Sequence, residues 1–316
     1  PVEVYWCDSC KIPIINTIIQ ADKGCCPVCG GKTEYLSADL RPVFPEERLL
    51  VELLLEKEPN SLVNESLWAS NNRYYINGKS IAMPNSKYEC ANINSIIEKL
   101  HSFSAANSYD GFNKYIQLFT LANRSRLEYL KDEAFQFIKK AASKFPAENI
   151  VVSFSGGKDS TVSADLAVKA LSDPSIVHIY GDTTLEFPST TEYAERFRKN
   201  HPNAIFQIAK NDEQDFYDVC EDIGPPARMM RWCCSMFKTG PITRVINSLY
   251  DSQQILTFYG IRKAESVSRS KYNRIEDSAD AVKIKQQTVA SPIFFWKDID
   301  IWLYILSEKI DFNDAT

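Results

Sequence analysis

No run in the sequence approaches the roughly 20 apolar residues that span a bilayer, so no membrane helix is expected. The first residues, Pro1-Val-Glu-Val-Tyr-Trp-Cys7, lack the basic start and apolar stretch of a secretory signal, and the expected compartment is the cytoplasm. Positive charge is not in excess: 36 Lys and Arg stand against 41 Asp and Glu, for a net charge of −5. That balance excludes a chain drawn by its overall field to nucleic acid or anionic lipid, leaving only local patches for such contacts. Internal repeats and low-complexity tracts are absent. Histidine is scarce, with only His101, His178 and His201, and none of them lies beside a cysteine.

What is present is ordinary globular composition, 44% hydrophobic and 24% charged, in 316 residues. This length accommodates one sizeable α/β domain plus one or two small modules. Nine cysteines in a chain read as cytoplasmic point to metal, cluster or redox roles rather than disulfides. They fall into an N-terminal set (Cys7, Cys10, Cys25, Cys26, Cys29), an isolated Cys90 that reads as inert, and a C-terminal set (Cys220, Cys233, Cys234). Cys7-x2-Cys10 and Cys26-x2-Cys29 are separated by fifteen residues, the spacing that lets four thiolates converge on zinc from two tight turns. Cys25 is an alternative to Cys26. Four thiolates leave no open coordination position, so this zinc ribbon is expected to be structural.

The chain divides on pattern into a zinc ribbon over 1–40, a small α+β module over 41–92, a helical connection over 93–145 and a nucleotide-binding domain over 146–316. In the second segment a helical run from Glu46 to Glu58 precedes Arg73-Tyr-Tyr-Ile-Asn-Gly-Lys79, a hairpin with an Asn-Gly turn. From Ile93 to Phe145, apolar residues such as Tyr115, Leu118, Phe119 and Leu127 recur at helical spacing. Beyond Pro146, buried-strand runs at 149–154, 175–180, 204–208 and 254–259 alternate with helical stretches. This βαβα rhythm predicts a parallel sheet with helices on both faces. His178 lies inside one of these apolar runs and reads as a satisfied core residue.

Between the first strand and its helix stands Ser155-Gly-Gly-Lys-Asp-Ser160. Gly156 and Gly157 let backbone N–H groups approach phosphate oxygens, and the helix adds its positive N-terminal end. Lys158 supplies a mobile cation, Ser155 and Ser160 supply hydroxyls, and Asp159 can cap the helix or hold magnesium. The Walker pattern is not met, which removes kinase and GTPase chemistry. Asp182 falls at the C-terminal end of the second strand, where open parallel sheets place ligands, within reach of ribose, adenine or magnesium; a helix cap is the alternative. Arg231, Lys238, Arg262, Lys263 and Arg269 offer cations for a phosphate or sulfate. Adjacent thiols at Cys233 and Cys234 suit an iron–sulfur cluster, with Cys220 as a third ligand, or alternatively apolar packing.

The loop, with Gly181-Asp-Thr-Thr-Leu-Glu-Phe-Pro188, Arg231-Trp-Cys-Cys234, Gly260-Ile-Arg-Lys-Ala-Glu-Ser266, Arg269, Pro292-Ile-Phe-Phe-Trp296 and Asp300-Ile-Trp302, resembles the phosphoadenosine phosphosulfate (PAPS) reductase family of the N-type ATP pyrophosphatase (PP-loop) superfamily. The resemblance covers about Ile150 onward. It implies an adenine nucleotide alpha hydrolase-like fold, and it adds Ser153, Thr183 and Gly260 to the nucleotide-binding set. It further implies ATP, PAPS or adenylylsulfate (APS) as ligand, with Mg²⁺. In adenylylsulfate-type reductases a similar Cys-Cys belongs to a 4Fe-4S cluster completed by a later Cys-x-x-Cys, and no such pair follows Cys234 here. Simple reductases of the family resemble one another in a C-terminal cysteine followed closely by histidine, also not found in this sequence.

Three functions follow. In the first, ATP adenylates an oxygen of a nucleic-acid or small-molecule acceptor, pyrophosphate leaves, and sulfur from a desulfurase or thiol carrier displaces AMP. Lys158, Asp159, Asp182, Arg262, Cys233 and Cys234 would carry this chemistry, of the DNA phosphorothioation or tRNA thiolation type. The second is thiol-dependent reduction of PAPS or APS to sulfite. The third is a non-enzymatic nucleotide sensor that binds DNA or RNA through the ribbon and the middle module, with Trp68 and Arg73-Tyr-Tyr stacking on bases.

Overall fold

A computed structural model describes residues 2–17, 24–71, 73–82, 92–104, 108–227, 229–251, 253–276 and 287–315. Cys90 lies outside the described residues. The chain divides into two compact units, Pro1–Glu128 with Lys297–Glu308, and Tyr129–Trp296 with Lys309–Thr316.

The first unit opens with β1 (Val2–Cys7), β2 (Ile12–Thr17) and β3 (Glu34–Ser37), an antiparallel sheet in the order β2-β1-β3. Alternation along β1 buries Val4 and Trp6, which with Ile12 and Ile14 form an apolar face. A second antiparallel sheet joins β4 (Arg41–Pro42), β5 (Leu67–Ser70), β6 (Arg73–Ile76) and β7 (Lys79–Ala82) in sequence order. The β6–β7 hairpin turns on Asn77 (φ 48°) and Gly78 (φ 79°), the left-handed pair that a two-residue type I′ turn requires. Gly78 is needed for space as well, since a Cβ there would lie 2.5 Å from Nε1 of Trp6. Helices α1 (Pro45–Leu54), α2 (Ile93–Ser104) and α3 (Asp110–Ala122) follow the expected spacing. Phe119 of α3 lies against Trp68 of β5, with ring centroids 4.9 Å apart. The Asn123 amide accepts from Ile15 N (2.7 Å) and donates to Pro13 O (3.0 Å), fastening β2 to the end of α3. The helix Asp298–Glu308 also belongs to this unit, where Trp302 packs on Phe44.

After α4 (Arg124–Ala142) the second unit is built on β8 (Ile150–Phe154), β9 (Val177–Asp182), β10 (Ile205–Lys210), β11 (Ile255–Phe258), β12 (Ile275–Glu276) and β13 (Gln287–Ala290). Their order is β10-β9-β8-β11-β13-β12, and every adjacent pair is parallel except β12 with β13. Between strands run α5 (Lys158–Leu171), α6 (Pro188–Asn200), α7 (Phe216–Ile223) and α8 (Gly240–Tyr250). Opposite faces of the sheet are covered: Ile246 and Tyr250 of α8 pack on Val151 and Ile179, whereas Phe197 of α6 stacks on Phe154 at 4.2 Å. The expected α/β fold, a largely parallel sheet sandwiched by helices, is therefore present. His178 is buried on the α6 face, where its Nδ1–H donates to Ile176 O at 2.8 Å and burial lowers its pKa to about 4.

Candidate active site and zinc ribbon

The strand order places a reversal between β8 and β11. From β8 the chain moves outward to β9 and β10, and from β11 it moves the other way to β13. The loops leaving such neighbours diverge, and the crevice at their C-terminal ends is where open α/β sheets hold ligands. The β8 loop is Ser155-Gly-Gly; the β11 loop is Tyr259 to Arg262.

In the first loop Gly156 adopts φ +74°, and a Cβ would lie 3.0 Å from Cγ2 of Thr190. Gly157 then serves as the N-cap of α5, so Lys158 and Asp159 occupy its first turn. The buried Ser160 hydroxyl braces the loop: it accepts from Ser155 N (3.1 Å) and Ser155 Oγ (3.1 Å) and donates to Gly157 O (2.8 Å). Its proton is thus committed to the loop's own backbone rather than held out to a ligand. The second loop is pressed at its base onto the first turn of α5. A Cβ on Gly260 would lie 2.5 Å from both Asp159 C and Ser160 N, so only glycine lets the two backbones approach this closely. Two residues on, the buried Arg262 donates from Nε to Asp159 Oδ2 at 2.9 Å. The structure thereby brings Ser155, Gly156, Gly157, Lys158, Asp159, Ser160, Gly260 and Arg262 into one locality. Ser153 lies in β8 beneath the loop and is hydrogen-bonded to Tyr259, whose hydroxyl pKa is raised by burial.

Asp182 ends β9, one strand along. Its Oδ1 accepts from Thr184 N (2.8 Å) and its Oδ2 lies 3.6 Å from Lys210 Nζ, while Thr183 Oγ1 donates to Glu186 (2.8 Å). Asp182 therefore braces the turn after β9, not the helix that follows, which starts at Pro188. Arg269 sits in the short turn Arg269–Lys271 and pairs with Glu265; Arg231, Lys238 and Lys263 are exposed.

Cys234 opens a π-helical turn, Cys234–Thr239, that packs against β9 and β10 and leads into α8. Ile242 at the start of α8 faces Gly181, so this segment borders the strand end that carries Asp182. The expected cluster trio is not gathered: among the described residues, Cys220, Cys233 and Cys234 form no group with ligand atoms within 4.8 Å of one another. Cys220 and Cys233 instead pack against Val219, Trp232 and Phe237. Both are only partly buried there.

The N-terminal thiols are gathered. Cys7, Cys10, Cys26 and Cys29 have sulfurs within 4.8 Å of one another, with Cys7 to Cys29 at 3.5 Å and Cys10 to Cys26 at 3.9 Å. Four thiolates about 2.3 Å from a tetrahedral zinc stand roughly 3.8 Å apart, so the set fits the ion. Both turns share one geometry. Lys11 N donates to Cys7 O and Gly30 N to Cys26 O, each at 2.8 Å, and both residues following the second cysteine are left-handed, Lys11 at φ 55° and Gly30 at φ 71°. Cys25 is exposed and pairs with Lys32 in a bridge, and it is Cys26 that joins the gathered set. Burial pushes the Cys7 thiol up to about 11 and Cys10 higher still, whereas the N–H of Gly31 holds Cys29 down at about 7.

Sequence reasoning missed the polar support of the site. Asn313, Thr190 and Tyr193 hold the loop from behind, and Gln287 bridges Thr257 and Tyr259 inside the sheet. None carries a periodic or motif signal.

Residues 149–314 match the phosphoadenosine phosphosulfate reductase domain. The chain belongs to this family. An uncharacterized protein of Methanocaldococcus jannaschii is 32% identical over 228 residues, 72% of this chain and 45% of that protein. Sulfate adenylyltransferase subunit 2 of Brucella anthropi is 26% identical over 210 residues, 60% of this chain and 65% of that protein. The chain thus spans about half to two thirds of the length of these curated relatives. Among solved structures, the phosphoadenylyl-sulfate (PAPS) reductase from Candida auris superposes with a TM-score of 0.45 at 16% identity, covering 60% of this chain and 88% of that one. No described helix of this PAPS reductase-family chain is long and apolar enough to cross a membrane.

Proposed function

We propose that the protein is an adenylyl-transferring enzyme that cleaves ATP between its α and β phosphates. An acceptor oxygen attacks the α-phosphorus, the bond to the bridging oxygen breaks, and pyrophosphate leaves. The observation that carries this reading is the Ser155–Ser160 loop at the sheet's reversal point, clamped by Gly260 and Arg262. In this reading the loop N–H groups, the α5 N-terminus and Lys158 stabilise the charge that gathers on the leaving pyrophosphate. Relatives named sulfate adenylyltransferase subunit 2 support the same chemistry. Mg²⁺, when bound with ATP, neutralises the phosphates, and Asp159 and Asp182 are the carboxylates that would hold it.

In this reading the four N-terminal thiolates hold a structural zinc, residues 146–316 form the catalytic domain, and the acceptor is a nucleic-acid backbone or base, or a small oxyanion. A sulfur donor then meets Cys233 or Cys234 at the β9 end of the crevice. The reaction belongs to the cytoplasm, where ATP and reduced thiols coexist.

Exchange of labelled pyrophosphate into ATP tests it. The protein should catalyse exchange, and Lys158→Ala should reduce it at least a hundredfold. Absence of exchange together with thiol-dependent sulfite release from PAPS or APS would establish the reductase reading instead. Absence of both leaves a nucleotide sensor.

A further inference from the structure

Behind the glycine loop, a short segment of the second unit crosses the starts of α5 and α6. It is tied at each residue. The Arg196 guanidinium forks the Asp311 carboxylate (2.6 and 3.1 Å) and reaches Phe312 O (3.0 Å). The Tyr193 hydroxyl donates to Asp311 O (2.9 Å) and meets Thr161 Oγ1 (2.9 Å), which itself lies 3.1 Å from Gly157 O. The circuit closes at Asn313. This side chain is 4% exposed, and its Nδ2 donates to Gly156 O (3.1 Å) and to Thr190 Oγ1 (2.9 Å), while its Oδ1 accepts from Ala315 N (2.9 Å). Two acceptors on one side and a donor on the other fix the amide orientation.

The consequence follows from peptide geometry. The Gly156–Gly157 peptide is trans, so the Gly156 carbonyl and the Gly157 N–H point in opposite directions. Gly156, at φ +74°, could otherwise rotate this peptide at little cost. Asn313 holds the carbonyl on the buried side, which turns the N–H toward the open crevice.

We infer that Asn313 is a positioning residue for the phosphate loop, acting through the Gly156–Gly157 peptide to aim the Gly157 N–H at a ligand phosphate. The inference rests on the nucleotide reading above. It differs from a general packing role because it concerns the phosphates alone and leaves the nucleoside end of the ligand untouched.

Asn313→Asp keeps the shape of the side chain and replaces the donor with an acceptor that repels Gly156 O. Losing one aligned hydrogen bond to an anionic ligand should raise the KM for ATP and the inhibition constant for inorganic pyrophosphate about tenfold or more. The inhibition constant for adenosine should stay within about twofold, since adenosine carries no phosphate for the Gly157 N–H to meet. A parallel rise in all three constants would show a structural role and overturn the inference, as would a folded variant in which none changes. Should Asn313→Asp not fold, Asn313→Ala removes the donor without adding charge and carries the same comparison. Failure of the nucleotide reading is separate and visible in the unmutated protein, as no inhibition or binding by ATP or pyrophosphate at all.

Discussion

At the scale of single residues, the glycines at 157 and 260 carry different burdens. Gly157 has ordinary φ, and an added Cβ would meet only Ser155 Oγ at 3.7 Å. Gly260 has no such room, because its Cβ would collide with the backbone of Asp159 and Ser160 at 2.5 Å. Gly260→Ala must therefore push the β11 loop off α5, with a stability loss of roughly 1 to 3 kcal/mol as for other overpacked sites. Denaturant unfolding should show that loss for Gly260→Ala and almost none for Gly157→Ala, while both weaken ATP binding. Equal stability of the two variants would mean that the loops are not held this closely. A second residue-scale expectation concerns acid. His178 is buried neutral with its pKa lowered from 6.5 to about 4, so below pH 6.5 the unfolded chain takes up a proton that the folded protein refuses. Stability from this group is complete above pH 6.5 and lost as pH falls toward 4, by about 3 kcal/mol in all. A His178→Phe variant, measured by urea unfolding from pH 7 to 4, should have a correspondingly shallower decline.

At the scale of elements, the ribbon and the sheet were legible to different degrees. The cysteine turns were legible because cysteine spacing is itself the geometry, although only the fold separates buried Cys26 from exposed Cys25. It follows that Cys10→Ser should abolish binding of one zinc per chain and loosen β1 to β3, whereas Cys25→Ser should retain the metal. Metal analysis and hydrogen exchange over residues 2–17 read this out. Zinc requires thiolates, and two of the four thiols are pushed well above neutral, so loading releases protons and affinity falls as pH is lowered. The strands β8, β9 and β11 were legible as buried apolar runs. β13 was not: Gln287-Thr-Val-Ala290 has no such run, and it pairs in parallel with β11 while Gln287 donates to Thr257 (2.6 Å) and Tyr259 (3.2 Å) beside it. Asn313 was unreadable for the same reason, since its value lies in a partner 157 residues away in sequence. The cysteine pair was legible only as two alternatives, ligands or apolar packing. Adjacent thiols suggest ligands, and here one of them is taken up by the apolar packing around Trp232.

At the scale of the whole chain, a net charge of −5 would face a polyanionic ligand in the proposed reaction. Long-range attraction cannot gather ATP, so affinity must come from the local field of the loop amides, the α5 terminus, Lys158 and Mg²⁺, acting at hydrogen-bond range. Such a site exists only in the folded protein. Mg·ATP at about a hundred times its dissociation constant should then raise the unfolding free energy by roughly 2.7 kcal/mol. For a unit of this size that corresponds to roughly 5 to 10 °C in melting temperature. ATP with chelator in place of magnesium should give little shift, because the uncompensated charge is then repelled. Lys158→Ala, if it weakens affinity tenfold, should leave about 1.4 kcal/mol at the same nucleotide concentration. Differential scanning fluorimetry with Mg·ATP, Mg·GTP and pyrophosphate measures all of these. A shift by ATP that survives Lys158→Ala unchanged would place the nucleotide somewhere other than the Ser155–Ser160 loop.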